Sequence, residues 1–158
     1  MTQPSPHVPR LVVDASVVLK WQLDDEEGSE QALALRDDFL LEAAVALAAP
    51  SLLLYEVTNG VHRAARRMRL DAAVAEQALT NLVACEIELH QPDSLHTLRL
   101  ARRYGLGAYD AAYLALADEL DAELWTADRP LVDGTRDAPR PARWIGEYER
   151  VSPAPRTG

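Results

Sequence analysis

The chain has 158 residues and a mass of 17.4 kDa, which suits one domain with a single sizeable core. A formal net charge of −9 and a sequence pI of about 4.8 exclude a protein that coats nucleic acid through a broadly basic surface. One cysteine excludes an internal disulfide, and we expect a cytoplasmic protein without a membrane segment, because no apolar run is long enough and no basic leader precedes one.

Short apolar runs alternate with segments of helical periodicity along most of the chain. The sequence predicts strands at residues 11–14, 45–48, 86–90 and 123–127, and a short fifth strand at 143–145. Helices are predicted at 15–21, 27–41, 51–69, 71–84, 93–104 and 108–120. Pro50 and Ser51 are expected to start the third helix, with Ser51 either as its cap or as a start next to the proline.

This alternation of strands and helices predicts the fold class. Right-handed crossovers between successive strands favour a parallel sheet that is covered on both faces. We therefore expect an α/β domain over residues 10–150, built as a three-layer α/β/α sandwich with a mainly parallel sheet of about five strands. The polar, proline-rich segments 1–9 and 151–158 are predicted to be flexible tails.

Four carboxylates stand at the edges of apolar segments, where they are costly without a partner. They are Asp14, Glu56, Asp110 and Asp128. Ligands of parallel sheets gather at the carboxyl ends of the strands, and two of these acids follow predicted strands. The other two lie on helices that could project over the same edge. Taken alone, Asp14 or Asp110 could equally cap a helix, and Asp128 could start a turn before Pro130.

Mutual repulsion decides what a cluster of these acids requires. At about 4 Å, two like charges repel by roughly 4 kcal/mol at an effective dielectric constant near 20. Some of the acids must therefore take up protons with raised pKa values, or a cation must lie between them. Oxygen ligands without histidine or cysteine favour Mg²⁺ or Mn²⁺. We expect Asp14 and Asp110 to be the principal metal ligands, with Glu56 and Asp128 completing the site or positioning water.

Smaller polar side chains accompany the acids. Ser16 follows Asp14 by two positions, Thr126 precedes Asp128 by two, and Asn59 comes one helical turn after Glu56. Such groups can orient carboxylates or water. For Ser16, local capping of the helix is an equally good interpretation.

The helix that carries Glu56 has two separate faces. At 100° per residue, Glu56, Arg63 and Arg67 share one face, and both arginines could contact the phosphates of a nucleic acid. A solvated pair of arginines near a helix C-terminus is the alternative. The other face is an apolar stripe that should pack on the core: Leu53, Val57, Val61, Ala64 and Met68.

The chain resembles a PIN-domain ribonuclease of the VapC type, the toxin of toxin–antitoxin pairs. The matching segments are VVDAS (12–16), LYEVTN (54–59), YDAAYLALA (109–117) and LWTAD (124–128). The resemblance implies a five-stranded α/β/α sandwich and a Mg²⁺- or Mn²⁺-dependent endoribonuclease that hydrolyses RNA with a metal-activated water. It also implies a homodimer and a VapB-type antitoxin that blocks the site. The four acids match the acidic quartet of this family, and Thr126 and Asn59 match its polar companions.

Other functions remain open from the residues alone. One is a PIN-like nuclease that is not a toxin. Another is an interaction module whose acidic groove receives an arginine from a partner segment. Phosphoryl transfer to an aspartate is disfavoured, because that chemistry needs a lysine near a later strand end and Lys20, the only lysine, lies in the first predicted helix.

Overall fold

A computed structural model describes residues 7–23, 27–67 and 70–151. Its strands are β1 (Arg10–Val13), β2 (Ala46–Pro50), β3 (Glu88–His90), β4 (Glu123–Thr126) and β5 (Arg143–Trp144). They form one sheet in the order β3-β2-β1-β4-β5, and each neighbouring pair is parallel. The strand that comes first in the chain is therefore central, and the chain winds outward from it in both directions.

Helices connect the strands. They are α1 (Ala15–Leu19), α2 (Ser29–Leu40), α3 (Leu53–Arg66), α4 (Ala72–Val83), α5 (Ser94–Tyr104), α6 (Ala108–Leu120) and α7 (Arg129–Gly134), followed by a 3₁₀ turn (Ile145–Glu147). The predicted α/β class with a parallel five-stranded sheet is confirmed. Within the described residues, no helix is both long and apolar enough to cross a bilayer.

Strand β1 is an unbroken apolar run because both faces of the sheet are buried at this strand. Val12 and Val13 point to opposite faces of the sheet, yet both are 0% exposed, so helices cover both faces. On one side, α6 contacts β1, β2 and β4 and is buried without interruption over residues 111–117. The predicted stripe on α3 is also buried at Leu53, Val57, Val61 and Ala64, and Met68 lies outside the described residues.

The start of α3 differs from the prediction. Pro50 is the last residue of β2, and Leu52 is the N-cap of α3, with no side-chain hydrogen bond at the cap. The hydroxyl of Ser51 instead accepts a hydrogen bond from Gln91 Nε2 at 2.8 Å, beyond the end of the neighbouring strand. The expectation that Ser51 caps the helix was wrong, because its hydroxyl is hydrogen-bonded to Gln91 at the end of the neighbouring strand instead.

A buried carboxylate fastens the end of the described chain to α2. Asp38 is 0% exposed and accepts hydrogen bonds from the Tyr148 hydroxyl at 2.7 Å, the Val151 amide at 2.9 Å and Arg150 Nε at 3.0 Å. The ring of Tyr148 packs edge-to-face on Trp125 of β4. Apart from residues 7–9 and 151, the two predicted tails lie outside the described residues.

Replacing Asp38 should therefore destabilise the fold. In an Asp38→Asn variant the amide group would oppose hydrogen-bond donors, and we expect the free energy of unfolding to fall by about 2 kcal/mol in urea titrations. Asp37→Asn is the matched control, since Asp37 is only partly buried and pairs with Arg36 at the surface; its effect should stay below about 0.5 kcal/mol. Equal losses in both variants would contradict the assigned role of Asp38.

Candidate active site

Asp14 lies at the carboxyl end of the central strand. It is the N-cap of α1, and its Oδ1 accepts a hydrogen bond from the Ser16 amide at 3.0 Å and another from the Ser16 hydroxyl. Its Oδ2 accepts one from the Thr126 hydroxyl at 2.6 Å. The capping interpretation therefore holds for Asp14, whereas the hydroxyl of Ser16 orients this carboxylate rather than capping the helix. Thr126 comes from another strand, so the carboxylate is more than a local cap.

The pairing of β1 with β4 places these groups together. Val13 is in register with Trp125, and the amide of Asp14 donates to the Trp125 carbonyl at 3.3 Å. Two hydroxyls then link the strand ends: Ser16 Oγ accepts from the Ala127 amide at 2.9 Å, and Thr126 Oγ1 accepts from the Asp128 amide at 3.0 Å. Both hydroxyls thus donate to one carboxylate while holding the backbone that leads to Asp128.

Glu56 reaches the same edge from the first turn of α3 and is half-buried. Its Oε1 accepts a hydrogen bond from the hydroxyl of Tyr113 in α6 at 2.7 Å. The close approach of α3 to α1 is possible because residue 60 is glycine: a Cβ there would overlap the side chain of Leu19. A small residue in α3 therefore helps to bring the Glu56 helix to the end of β1.

Asp110 and Asp128 complete the acidic set, and neither side chain serves as a helix cap. Gly107 is the N-cap of α6, so Asp110 lies in the first turn, where a negative charge also suits the helix dipole. Asp128 is the N-cap residue of α7 in extended conformation, but its side chain makes no capping hydrogen bond. Capping is therefore excluded for the side chain of Asp110, whereas Asp128 does start the turn before Pro130, as its alternative interpretation expected.

Charge interactions join the four acids into one cluster. Burial raises the pKa of Asp14 to about 6, against the hydrogen bonds from Ser16 and Thr126, and the charge of Glu56 raises it further. Burial also raises the pKa of Glu56, where Asp110 adds to the shift, and the pKa of Asp110, where Asp128 adds to it. The pKa values of three acids are therefore raised in part by the charge of a neighbouring acid, which agrees with the predicted repulsion.

In the part of the chain that the structure describes, no group of three or more His, Cys, Asp or Glu side chains comes together closely enough to hold a metal ion. Mg²⁺ commonly takes only one or two carboxylates and keeps several waters. The donors are oxygens only, which also favours Mg²⁺ or Mn²⁺ over zinc.

A groove lies along α1 and α3. Its volume is about 270 Å³, and its lining includes Ser16, Ala127, Lys20, Arg63 and Arg67. Ser16 and Ala127 are close to Asp14 and Asp128 in the chain, so the groove opens beside the acidic cluster. It carries three cationic side chains in a protein of net charge −9. The structure thus places both predicted RNA-contact arginines next to the candidate site.

Asn59 is not brought into the cluster. It is exposed on α3, and its side chain makes no hydrogen bond to another described residue. Two residues without a role in the sequence interpretation do lie at the site: Tyr113, through its hydrogen bond to Glu56, and Lys20, which is buried in the groove. Tyr113 could have been found from the sequence. It lies one turn after Asp110 among apolar residues, and a buried hydroxyl there needs a hydrogen-bond partner.

Comparison with known proteins agrees with this geometry. The model of the family described as PIN domain matches residues 11–133. A VapC ribonuclease of Mycobacterium bovis is 35% identical over 123 residues, which cover 78% of this chain and 89% of the relative. Two Pyrobaculum aerophilum proteins are each 34% identical: a ribonuclease named VapC3 (78% and 93% covered) and an exonuclease named VapC9 (68% and 80% covered).

The fold is shared with a solved protein. The crystal structure of PAE2754 from Pyrobaculum aerophilum superposes with a TM-score of 0.63 at 29% identity, covering 87% of this chain and 91% of that one. The chain therefore belongs to the PIN-domain family, and within it to the VapC ribonucleases.

The raised pKa of Asp14 leads to a pH-dependence prediction. A carboxyl group whose pKa rises from 3.8 to about 6 on folding binds its proton more tightly in the folded state. The stability present below the lower value is therefore lost as the pH rises through the higher one. In metal-free wild type, we expect the free energy of unfolding to fall across this window. The Asp14→Asn variant should have a flatter profile, because asparagine caps a helix equally well and does not ionise.

The same pair of proteins tests the metal. Millimolar Mg²⁺ at neutral pH should raise the thermal midpoint of wild type and leave that of Asp14→Asn nearly unchanged, since only the wild type gains a ligand that binds the folded state. Thermal unfolding with and without a chelator is the measurement. A similar Mg²⁺ stabilisation in both proteins would count against Asp14 as a ligand.

Proposed function

We propose that the chain is a Mg²⁺-dependent endoribonuclease and the toxin of a type II toxin–antitoxin pair. The observation that carries this proposal is the acidic cluster: four carboxylates from four chain segments, with the pKa values of Asp14, Glu56 and Asp110 each raised in part by the charge of a neighbouring acid. The relatives named VapC ribonuclease support RNA as the substrate. Mn²⁺ is the expected substitute ion.

The proposed roles follow from the surroundings of each acid. Asp14 and Asp110 would hold the ion, with Asp14 oriented by Ser16 and Thr126. Glu56 and Asp128 would complete the site or orient the attacking water, and the raised pKa of Glu56 suits a group that accepts a proton. When bound, the ion would lower the pKa of water and neutralise charge that develops on the phosphodiester.

We propose that the groove between α1 and α3 receives the RNA backbone beside the scissile bond. Arg63 and Arg67 line it and are exposed, so both guanidinium groups can reach phosphate oxygens. This local attraction compensates for a net charge that repels RNA elsewhere. Asn59, exposed one turn after Glu56, remains a proposed polar contact at the same mouth.

Partners are proposed on the exposed apolar surface. An apolar hollow of about 110 Å³ lies among α1, α3, α4 and β3, with Leu54, Val83 and Leu89 at its exposed rim. It supports binding of an antitoxin segment of the VapB type. A homodimer is also proposed, and the exposed side chains of Tyr55 on α3 and Leu98 on α5 are available to its interface. A cytoplasmic location belongs to the same proposal.

Carboxylate removal tests the activity. Asp14→Asn and Asp110→Asn should each lower Mg²⁺-dependent cleavage at least about 100-fold, because each would lose a metal ligand. Asp118→Asn is the matched control: Asp118 lies on the same helix but is exposed and pairs with His96, so this variant should cleave like wild type.

An RNA blocked at both ends distinguishes internal cleavage from the exonuclease activity in the name of one relative. Products from this RNA with wild type would support an endonuclease. Full Mg²⁺-dependent cleavage by the two site variants would overturn the proposal.

The groove has its own test. In the double variant Arg63→Gln/Arg67→Gln we expect KM for RNA to rise about 10-fold with little change in kcat, because the lost phosphate contacts bind substrate and transition state alike. The slope of affinity against salt concentration should also become shallower by about two phosphate contacts. Arg66→Gln is the control, since Arg66 is exposed on the same helix but does not line the groove. An equal loss in the control would leave the groove without a special role.

A further inference from the structure

Tyr113 lies inside the helix that carries Asp110. It comes one turn after this acid in α6, is 2% exposed, and its ring belongs to the main hydrophobic core. Leu114, Ala115 and their neighbours fill the rest of the helix with apolar side chains. A tyrosine in such a place must find a partner for its hydroxyl, since an unpaired buried hydroxyl is costly.

The partner is a carboxylate of the acidic cluster. The Tyr113 hydroxyl donates to Glu56 Oε1 at 2.7 Å, across a separation of 57 residues in the chain. One hydroxyl therefore connects α6 with α3, which are the elements that carry Asp110 and Glu56.

Glu56 needs such a restraint. Its side chain is long, it is only half-buried, and the charge of Asp110 acts against its ionised form. Without a fixed donor, rotation toward solvent would relieve that repulsion. The pKa of Tyr113 is raised well above its usual range by burial and by Glu56, so the hydroxyl keeps its proton and stays a donor.

We propose that Tyr113 is a positioning residue, whose hydroxyl holds Oε1 of Glu56 and leaves Oε2 as the oxygen directed to the reaction. This role rests on the proposed nuclease function. It acts through Glu56 alone, so removing the hydroxyl should matter only while Glu56 is present. A core tyrosine with a purely structural role would lack this dependence.

A double-mutant cycle tests the proposal. Tyr113→Phe should lower kcat about 10- to 100-fold with KM for RNA nearly unchanged, the range expected for losing one hydrogen bond to a charged group. In a Glu56→Ala background the same substitution should have no further effect. Calorimetric titration with Mn²⁺ gives a second readout: Tyr113→Phe should weaken binding several-fold in the wild-type background and not in the Glu56→Ala background.

Tyr148→Phe is the matched control. Its hydroxyl also donates to a buried carboxylate at 2.7 Å, but that carboxylate is Asp38 on α2. This variant should lose stability in urea titrations while keeping kcat and Mn²⁺ affinity. Equal effects of Tyr113→Phe with and without Glu56, or a loss of stability with unchanged kcat and Mn²⁺ affinity, would overturn the positioning role.

The outcomes separate this inference from the proposed function. If wild type does not cleave RNA, the nuclease proposal fails, and the Mn²⁺ titrations still report whether Tyr113 acts through Glu56. If wild type cleaves RNA and Tyr113→Phe matches it in kcat and in Mn²⁺ affinity, only the positioning role is overturned.

Discussion

The parallel pairing of β1 with β4 is the contact on which the site depends, because it sets two strand ends side by side in the middle of the sheet. With Val13 opposite Trp125, the next residues along each strand bring the carboxylate of Asp14 against the hydroxyl of Thr126. A shift of one residue in this register would turn Thr126 to the other face of the sheet. The apolar burial of both strands, which fixes the register, is therefore also what builds the acidic centre.

The carboxylates at these strand ends have raised pKa values, so their ionised forms need a further stabilising partner. Hydrogen bonds from Ser16, Thr126 and Tyr113 favour the ionised acids, yet burial and neighbouring charge outweigh them and raise the pKa values. The ionised acids therefore repel one another at the place where the ion is proposed to bind, and a bound cation would offset this repulsion. The groove beside the site carries Lys20, Arg63 and Arg67 in a protein of net charge −9, and the proposed attraction of RNA is confined to this groove.

Much of this could be predicted from the sequence, because the decisive signals are local. A carboxylate directly after an apolar strand is recognisable as a candidate site residue, and the alternation of strands and helices predicts the parallel sheet. The partner in a contact between distant segments leaves no such signal, even where one residue, such as Tyr113, shows that it needs a partner. The hydrogen bond of Tyr113 to Glu56 and the burial of Asp38 under Tyr148 depend on tertiary packing. The prediction that Ser51 caps a helix was wrong for the same reason, since its hydroxyl accepts a hydrogen bond from Gln91 at the neighbouring strand end.

The most direct test of the central claim is a crystal structure of the wild-type protein soaked in Mn²⁺, with anomalous scattering used to locate the ion. The account predicts an anomalous peak at the carboxyl ends of β1 and β4, with Asp14 and Asp110 among its ligands and waters in the remaining positions. An ion bound elsewhere, or an acidic cluster that stays free of Mn²⁺ at saturating concentration and neutral pH, would contradict it.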